Sequence, residues 1–126
     1  LDYFSRTNFS NFIIKIQVKI HLVQLCIEKE YYDQAELMID TFKHYVSREK
    51  AILDVIKISV MEFLKISGDL IKIKTAISKK DKDFKIESLK QQVEEMSNNR
   101  FGIKLWLREK AGQLNFLILL CPAFYL

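Results

Sequence analysis

The fold of this chain is decided by residues 13–48, which read IIKIQVKIHLVQLCIEKEYYDQAELMIDTFKHYVSR. Apolar residues recur at helical spacing on both sides of a polar pivot at 29–35, as two amphipathic helices require. Asp33 is expected to cap the second helix or to place negative charge in its first turn, where the helix dipole favours it. The apolar positions are Ile16, Ile20, Val23 and Ile27, widened by Leu22, Leu25 and Cys26, and then Ala35, Met38, Ile39, Phe42 and Val46. The stretch therefore predicts a helical hairpin.

A second pattern competes over residues 12–20, where apolar and polar residues alternate. Alternating β-branched residues are typical of a half-buried strand. The helical spacing nevertheless continues without a turn signal to Ile27, so the run is longer than an average strand. We therefore expect a helix, with a strand as the alternative.

The same choice arises at residues 68–74, after Ser67-Gly68-Asp69 interrupts a helical pattern. A tight turn followed by a strand is one interpretation. Glycine costs a helix only about 1 kcal/mol, whereas burial of one apolar side chain contributes about 1.5–3 kcal/mol. We therefore expect one continuous helix.

Residues 49–112 predict further helices and a terminal cap. A third helix from about 48 to 77, capped by Ser47, is followed by an exposed charged loop at 78–83 and by a fourth and a short fifth helix, which ends near Gly112. The third helix is apolar around most of its circumference and is expected to be buried on two sides; its apolar positions are Ile52, Leu53, Val55, Ile56, Val60, Phe63, Leu64 and Leu70. The apolar positions of the fourth helix are Phe84, Ile86, Leu89, Val93 and Met96.

The two ends of the chain differ from this middle. Residues 1–11 are turn-prone and are expected to be the end of a preceding helix or a linker, with Ser10 or Asn11 capping the next helix. Residues 113–126 form an uncharged apolar tail, which is shorter than the roughly 20 residues that span a bilayer. Three interpretations stand for the tail: packing on the helical core, contact with a partner or a membrane surface, and non-native sequence.

Length and composition predict a single helical domain over residues 1–126. The chain is 49% apolar and 29% charged, with one proline and three glycines, which is typical of a globular protein with few chain breakers. Cys26 and Cys121 form neither a disulfide framework nor a metal-ligand spacing, so we expect reduced, buried thiols. The chain begins with Leu1 and shows no signal-peptide pattern.

Two residues at the pivot carry a resemblance to a known family. Tyr32 and Ala35 resemble the Tyr-x-x-Ala at the turn into the second helix of a tetratricopeptide repeat, where the aromatic ring fills the turn and the small residue permits close helix approach. Glu30 stands where the family has a small residue, and the aromatic residue of the first helix is absent. With Phe42-Lys43-His44-Tyr45-Val46, Phe63-Leu64-Lys65 and Leu105-Trp106-Leu107-Arg108-Glu109-Lys110, residues 13–112 resemble the C-terminal end of bacterial tetratricopeptide-like proteins.

The resemblance implies that the chain is the terminal piece of a longer helical array. Its structural repeat positions would be Tyr32, Ala35 and Phe42. In such an array the terminal unit needs a polar outer face, which the charged fourth helix would supply.

The sequence favours no catalytic, cofactor or metal site. His21 and His44 have no cysteine or carboxylate at a metal spacing, and Cys26 follows His21 on an apolar face that would keep its thiol inert. Paired carboxylates such as Glu94-Glu95 lie on solvated helix faces, and Trp106 is expected in the core. We therefore expect a protein that is not an enzyme and binds no cofactor.

The net charge of +4 arises wholly from residues 51–126, where lysines cluster at 72–85. The cluster consists of Lys72, Lys74, Lys79, Lys80, Lys82 and Lys85. Such a cluster can meet phosphates or an acidic partner. Asp81 and Asp83 interrupt it, and Phe84 is its one aromatic residue, which is unlike a nucleic-acid groove. We expect a solvated face, with binding of nucleic acid or an acidic partner as the alternative.

The sequence thus predicts an all-α fold of about five helices, arranged as stacked hairpins in a tetratricopeptide-like superhelix fragment. The expected function is protein–protein interaction or scaffolding, with a protein or peptide partner in apolar grooves and homo-oligomers through an open apolar end. Nucleic acid and membranes are not the expected partners, and the expected location is the cytoplasm.

Overall fold

The computed structural model describes residues 2–76 and 80–125, with side chains over 11–76 and 80–114. Its α-helices are α1 (Asp2–Glu28), α2 (Tyr32–Arg48), α3 (Asp54–Thr75), α4 (Lys82–Glu94) and α5 (Ile103–Tyr125), with a short 3-10 turn (Arg100–Gly102) before α5. No strand occurs in the described residues, which confirms the all-α fold class. Helix α1 packs against α2, and α4 packs against α5, consistent with stacked hairpins.

The chain divides into two compact units, residues 1–64 and 65–126. Helix α3 runs across this boundary, so each unit contains part of it. Each unit has its own set of buried apolar side chains. The single domain over 1–126 stays a prediction.

The expected hairpin forms in the first unit, and residues 12–20 are helical. Its buried side chains are Ile16, Ile20, Val23, Cys26 and Ile27 from α1, and Ala35, Ile39, Phe42 and Val46 from α2. Asp33 places its charge in the first turn of α2, whereas no side-chain hydrogen bond caps that helix. The spacing of apolar residues thus located both helices.

The turn between α1 and α2 closes through a left-handed residue. The amide of Tyr31 donates to the carbonyl of Cys26 at 2.8 Å, and the amide of Glu30 donates to the carbonyl of Ile27 at 3.1 Å. Glu30 has φ +62°, at the position where such helix ends usually carry glycine. The acidic residue therefore costs backbone strain at this turn.

Helix α3 runs unbroken through Ser67-Gly68-Asp69, which confirms the continuous helix. The expected start near residue 48 is wrong, because α2 extends to Arg48 and includes Ser47. Residues 49–53 form the connection, and the Leu53 carbonyl accepts the first α3 amides. Burial on two sides is also wrong at this end of the helix, since Leu53 and Val55 are exposed.

In the second unit, polar side chains hold α4 to α5. The ammonium of Lys104 donates to the carbonyls of Glu94 and Met96 at 3.1 and 2.9 Å. The guanidinium of Arg108 donates to both carboxylate oxygens of Glu94, at 2.7 and 3.1 Å. Ile86, Leu89, Val93 and Met96 are buried as expected. These contacts satisfy carbonyl groups at the end of α4 that have no partner within that helix.

Both expected chain ends are corrected. Helix α1 begins at Asp2, so a linker at 1–11 with a cap at Ser10 or Asn11 is wrong. Helix α5 continues past Gly112 to Tyr125, because a single glycine does not end a helix. The three interpretations of the apolar tail depend on the side chains of 115–126, which lie outside the described side chains. Ser78 and Lys79 of the expected charged loop also lie outside the described residues.

Candidate functional site

Helix α1 carries a second apolar face on the side away from its core. We call it the α1 stripe, and its members are Ile14, Val18, Leu22 and Leu25. Their spacing of four, four and three residues places them along one side of the helix. Each side chain is between 41% and 56% exposed. No charged residue falls within this spacing between Ile14 and Leu25, so the stripe is an uninterrupted apolar surface.

The α1 stripe explains the strand-like alternation at 12–20. Residues two apart on a helix are separated by about 200°, so they point to nearly opposite sides. Ile16 and Ile20 are buried, whereas Ile14 and Val18 are exposed. The expectation that Leu22 and Leu25 widen the core face is therefore wrong. The alternation was the sequence signal for a helix with two apolar faces.

A groove between α1 and α2 adjoins the α1 stripe. We call it the hairpin groove, and it has a volume of about 230 Å³. It is lined by Lys19, Leu22, Val23, Gln34, Leu37, Met38, Thr41 and Phe42. Leu22 belongs to both surfaces, and Leu37 is 71% exposed. Lys19 is held at its edge, with the ammonium 5.0 Å from the centre of the Tyr45 ring. Together the two surfaces form one exposed apolar region on the hairpin.

A second set of exposed apolar residues, in the first turns of α3 and just before it, has a different character. Leu53, Val55, Ile58 and Met61 are exposed. Around the circumference of α3, Asp54 and Glu62 fall between these apolar side chains. A mixed surface of this kind is ordinary for a soluble helix, so the α1 stripe is the stronger candidate.

The predicted repeat positions lie in or beside the hairpin core. Ala35 is completely buried and Phe42 is 2% exposed. Tyr32 is half-buried in the first turn of α2, and burial, together with the nearby Glu30 carboxylate, raises the pKa of its hydroxyl. Their role as repeat positions stays a prediction.

The histidines and the described cysteine do not converge on a catalytic arrangement. His21 is exposed and hydrogen-bonded to Gln24 at 3.1 Å. His44 is exposed and lies 3.8 Å from the Asp40 carboxylate. Cys26 is buried, with its sulfur 3.6 Å from that of Met38. No group of three or more metal-ligating side chains occurs in the described part of the chain. The side chain of Cys121 lies outside that part.

Trp106 is half-buried rather than fully enclosed. The ammonium of Lys110, a buried lysine, lies 5.9 Å from the centre of its ring. Lys110 also donates to Gln113 at 3.3 Å. The Trp106 ring therefore contacts a lysine of its own helix. The expectation that Trp106 lies in the core is met only in part, because its side chain is half-buried.

The structure places two of the six lysines of the predicted cluster in one groove. Lys72 and Lys85 line one groove between α3 and α4. Lys74, Lys80 and Lys82 do not line it, and Lys79 lies outside the described residues. Phe84, which was expected on the apolar face of its helix, is 75% exposed and lines this groove. Two of the six predicted lysines, Lys72 and Lys85, therefore line one groove together with the aromatic ring of Phe84.

None of the described helices is both long and apolar enough to cross a membrane. Comparison of the chain with protein-family profiles gave no match. Comparisons with curated proteins and with solved structures gave no match either.

Proposed function

We propose that this chain is a non-enzymatic protein-interaction segment that binds an amphipathic helix of another protein along the α1 stripe. The observation that carries the proposal is the position of the α1 stripe opposite the buried face of the same helix. Burial of each half-exposed side chain by a partner would contribute about 0.8 kcal/mol per CH₂ removed from water. Four neighbouring side chains therefore offer a substantial apolar contact.

The geometry of the stripe favours a helix as its occupant. Ile14, Val18 and Leu22 are spaced four residues apart, and such rows form the ridges that pack into grooves of a second helix. An extended peptide that binds by strand addition would need free backbone hydrogen-bonding groups at a sheet edge, whereas α1 uses its backbone groups within the helix. From Ile14 to Leu25 the stripe is about 16 Å long, enough for three turns of a partner helix.

Charge complementarity specifies the partner further. Lys15 is exposed, and Lys19 lies at the edge of the hairpin groove. Both follow members of the stripe by one residue, so they flank the same side of it. A partner helix with acidic residues beside its apolar face would meet these lysines.

The same proposal includes the tetratricopeptide-like arrangement. The complete burial of Ala35 supports it, because a small residue permits close approach of the two helices. Homo-oligomerisation through the stripe is the competing use of the surface, and the experiment below distinguishes the two.

Site-specific photo-crosslinking in native cells tests the proposal. A photoreactive p-benzoylphenylalanine replaces Leu25 in the protein as its native cells express it, and the matched control carries it at Glu36, an exposed α2 position outside the hairpin groove. We expect a partner protein crosslinked only from position 25, through a segment whose apolar residues recur every three or four positions. Crosslinks to a second copy of this chain, or to nucleic acid, would contradict the proposal.

Binding of that partner, once purified, supplies the quantitative check. The double variant Val18→Lys/Leu22→Lys is expected to weaken binding by at least about 100-fold, since it places two charges in the apolar contact. The control Gln17→Lys/Ser47→Lys adds the same charge at exposed positions outside the stripe and should bind within about threefold of the unmodified chain. Equal loss in both variants would show that net charge, not the stripe, governs binding.

A further inference from the structure

The groove between α3 and α4 lies wholly within the second unit. It has a volume of about 270 Å³ and is lined by Asp69, Lys72, Ile73, Phe84, Lys85, Ser88, Leu89 and Gln92. We call it the α3–α4 groove. Ile73 and Leu89 are at most 5% exposed and form an apolar floor, while Phe84 stands exposed at the wall. The groove therefore combines an apolar interior with a polar rim.

The acidic residues of α4 lie away from this groove. Asp83, Glu87 and Glu94 are not among the lining residues. Glu94 is paired with Arg108 at 2.7 Å, and Glu87 lies 3.8 Å from the ammonium of Lys90. Asp83 and Glu87 are four residues apart, and Glu87 and Glu94 are seven residues apart. This spacing places the three acids on one side of the helix. Helix α4 thus directs its acids to one side and its Phe84 and Lys85 to the groove.

The two lysines of the groove are available to a ligand. Both Lys72 and Lys85 are exposed, and no described acidic side chain lies within 4.0 Å of either ammonium. Asp69 is the one acid on the rim, and it is half-buried. The positive charge is therefore not neutralised by an ion pair within the described structure.

We propose that the α3–α4 groove binds an acidic peptide segment that inserts one apolar side chain between Phe84 and the floor. Its carboxylates would pair with Lys72 and Lys85, which flank the apolar interior. This site goes beyond the interaction along the α1 stripe, because it lies on other helices and accepts one inserted side chain instead of the apolar face of a helix.

Size and composition favour a peptide over other anionic ligands. A volume of about 270 Å³ is below the roughly 300–1,000 Å³ of small-molecule sites, so the groove takes a side chain rather than a whole cofactor. Single-stranded nucleic acid binds through several aromatic platforms along a basic groove. Phe84 is the one aromatic side chain that lines this groove, so the groove lacks a row of such platforms.

Selection from a phage-displayed library of random dodecapeptides on the immobilised full chain tests this inference. We expect enriched peptides to carry two or more acidic residues within four positions of Leu, Phe or Trp. The best peptide, labelled with fluorescein, is then titrated by fluorescence anisotropy against the chain and its variants. Circular dichroism confirms that each variant is folded.

The variants separate the parts of the site. Lys72→Glu/Lys85→Glu is expected to weaken peptide binding by at least about tenfold, and Phe84→Ala by about tenfold because it removes the apolar wall. The control Lys29→Glu/Lys50→Glu changes net charge equally at exposed positions of the first unit and should bind within about threefold. Val18→Lys/Leu22→Lys should also bind normally, which distinguishes this site from the α1 stripe.

Three results would overturn the inference. The first is selection that enriches no acidic peptides. The second is equal loss of binding in the groove variant and in the charge-matched control. The third is a labelled dT12 oligonucleotide that binds more tightly than the peptide and is insensitive to Phe84→Ala, since this would assign the lysines to nucleic acid.

Discussion

Alanine substitutions at Ile20 and Val18 are expected to have very different effects on stability, although the two residues are only two positions apart in α1. Ile20 is 1% exposed, and Val18 is 51% exposed. Both residues are β-branched and both lie in the interior of the same helix. The pair therefore separates the contribution of burial from that of helix propensity.

The magnitudes follow from what each substitution removes. Ile20→Ala deletes buried atoms and leaves a cavity, which costs about 2–5 kcal/mol. Val18→Ala deletes two carbons that are half in water, which costs about 0.8 kcal/mol at roughly 0.8 kcal/mol per buried CH₂. The higher helix propensity of alanine offsets about 0.5 kcal/mol of that loss. We therefore expect Val18→Ala to change the free energy of unfolding by less than about 0.5 kcal/mol.

Urea unfolding of the three proteins, followed by circular dichroism at 222 nm, measures the difference. A lower midpoint for Ile20→Ala with an unchanged slope would report loss of stability alone. If Val18→Ala costs as much as Ile20→Ala, the stripe is packed in the chain itself and is not open to a partner. If Ile20→Ala costs less than about 1 kcal/mol, the buried face is assigned to the wrong side of α1.

Three further expectations concern the backbone conformation at Gly68, Gly102 and Glu30, and the ion pair between Glu94 and Arg108. A Cβ at Gly68 or at Gly102 meets no atom within 4 Å, but Gly102 has φ +70°. Gly68→Ala should stabilise the chain by about 1 kcal/mol, because alanine has the higher helix propensity. Gly102→Ala should destabilise it by about 1–2 kcal/mol, because alanine is strained in the left-handed conformation. Thermal unfolding of both variants checks this, and shifts of the same sign would contradict it. Glu30→Gly should raise the free energy of unfolding by up to about 1 kcal/mol, because glycine relieves the left-handed strain but is more flexible when unfolded; a lower urea midpoint would show that the Glu30 side chain makes a compensating contact. The hydrogen bond from Arg108 holds the pKa of the Glu94 carboxyl below its usual 4.5, so the pair stabilises the fold above that pH and the contribution disappears as the pH falls through the lowered pKa. Arg108→Gln should accordingly be less stable than the unmodified chain at pH 7 and no less stable at pH 2, and a difference that persists at pH 2 would rule out this ion pair as its source.

Local spacing was sufficient for most of the helices. The repeat from Ile16 to Ile27 and from Ala35 to Val46 located α1 and α2, because an apolar residue every three or four positions is the direct consequence of a helix with one buried side. The continuity of α3 through Gly68 also followed from local energies, since one glycine costs less than burial of the side chains around it contributes. The ends of helices were less well predicted. Capping residues at Ser10 and Ser47 lie inside helices instead, because a capping residue stabilises a helix end by only about 1 kcal/mol and packing decides where the end falls.

The sequence by itself determined that this chain is helical, where its apolar residues recur, and that its positive charge lies in the second half. Only the tertiary structure decided that Leu22 and Leu25 lie outside the core of the hairpin, because α2 covers the side of α1 that carries Ile16 and Ile20. The same holds for the lysines: Lys72 and Lys85 are thirteen residues apart, and they share a groove with Phe84 because α3 and α4 lie side by side in the second unit. Helical periodicity is a property of neighbours along the chain. Which face meets another helix depends on distant residues, and this is why both proposed sites emerge only from the fold.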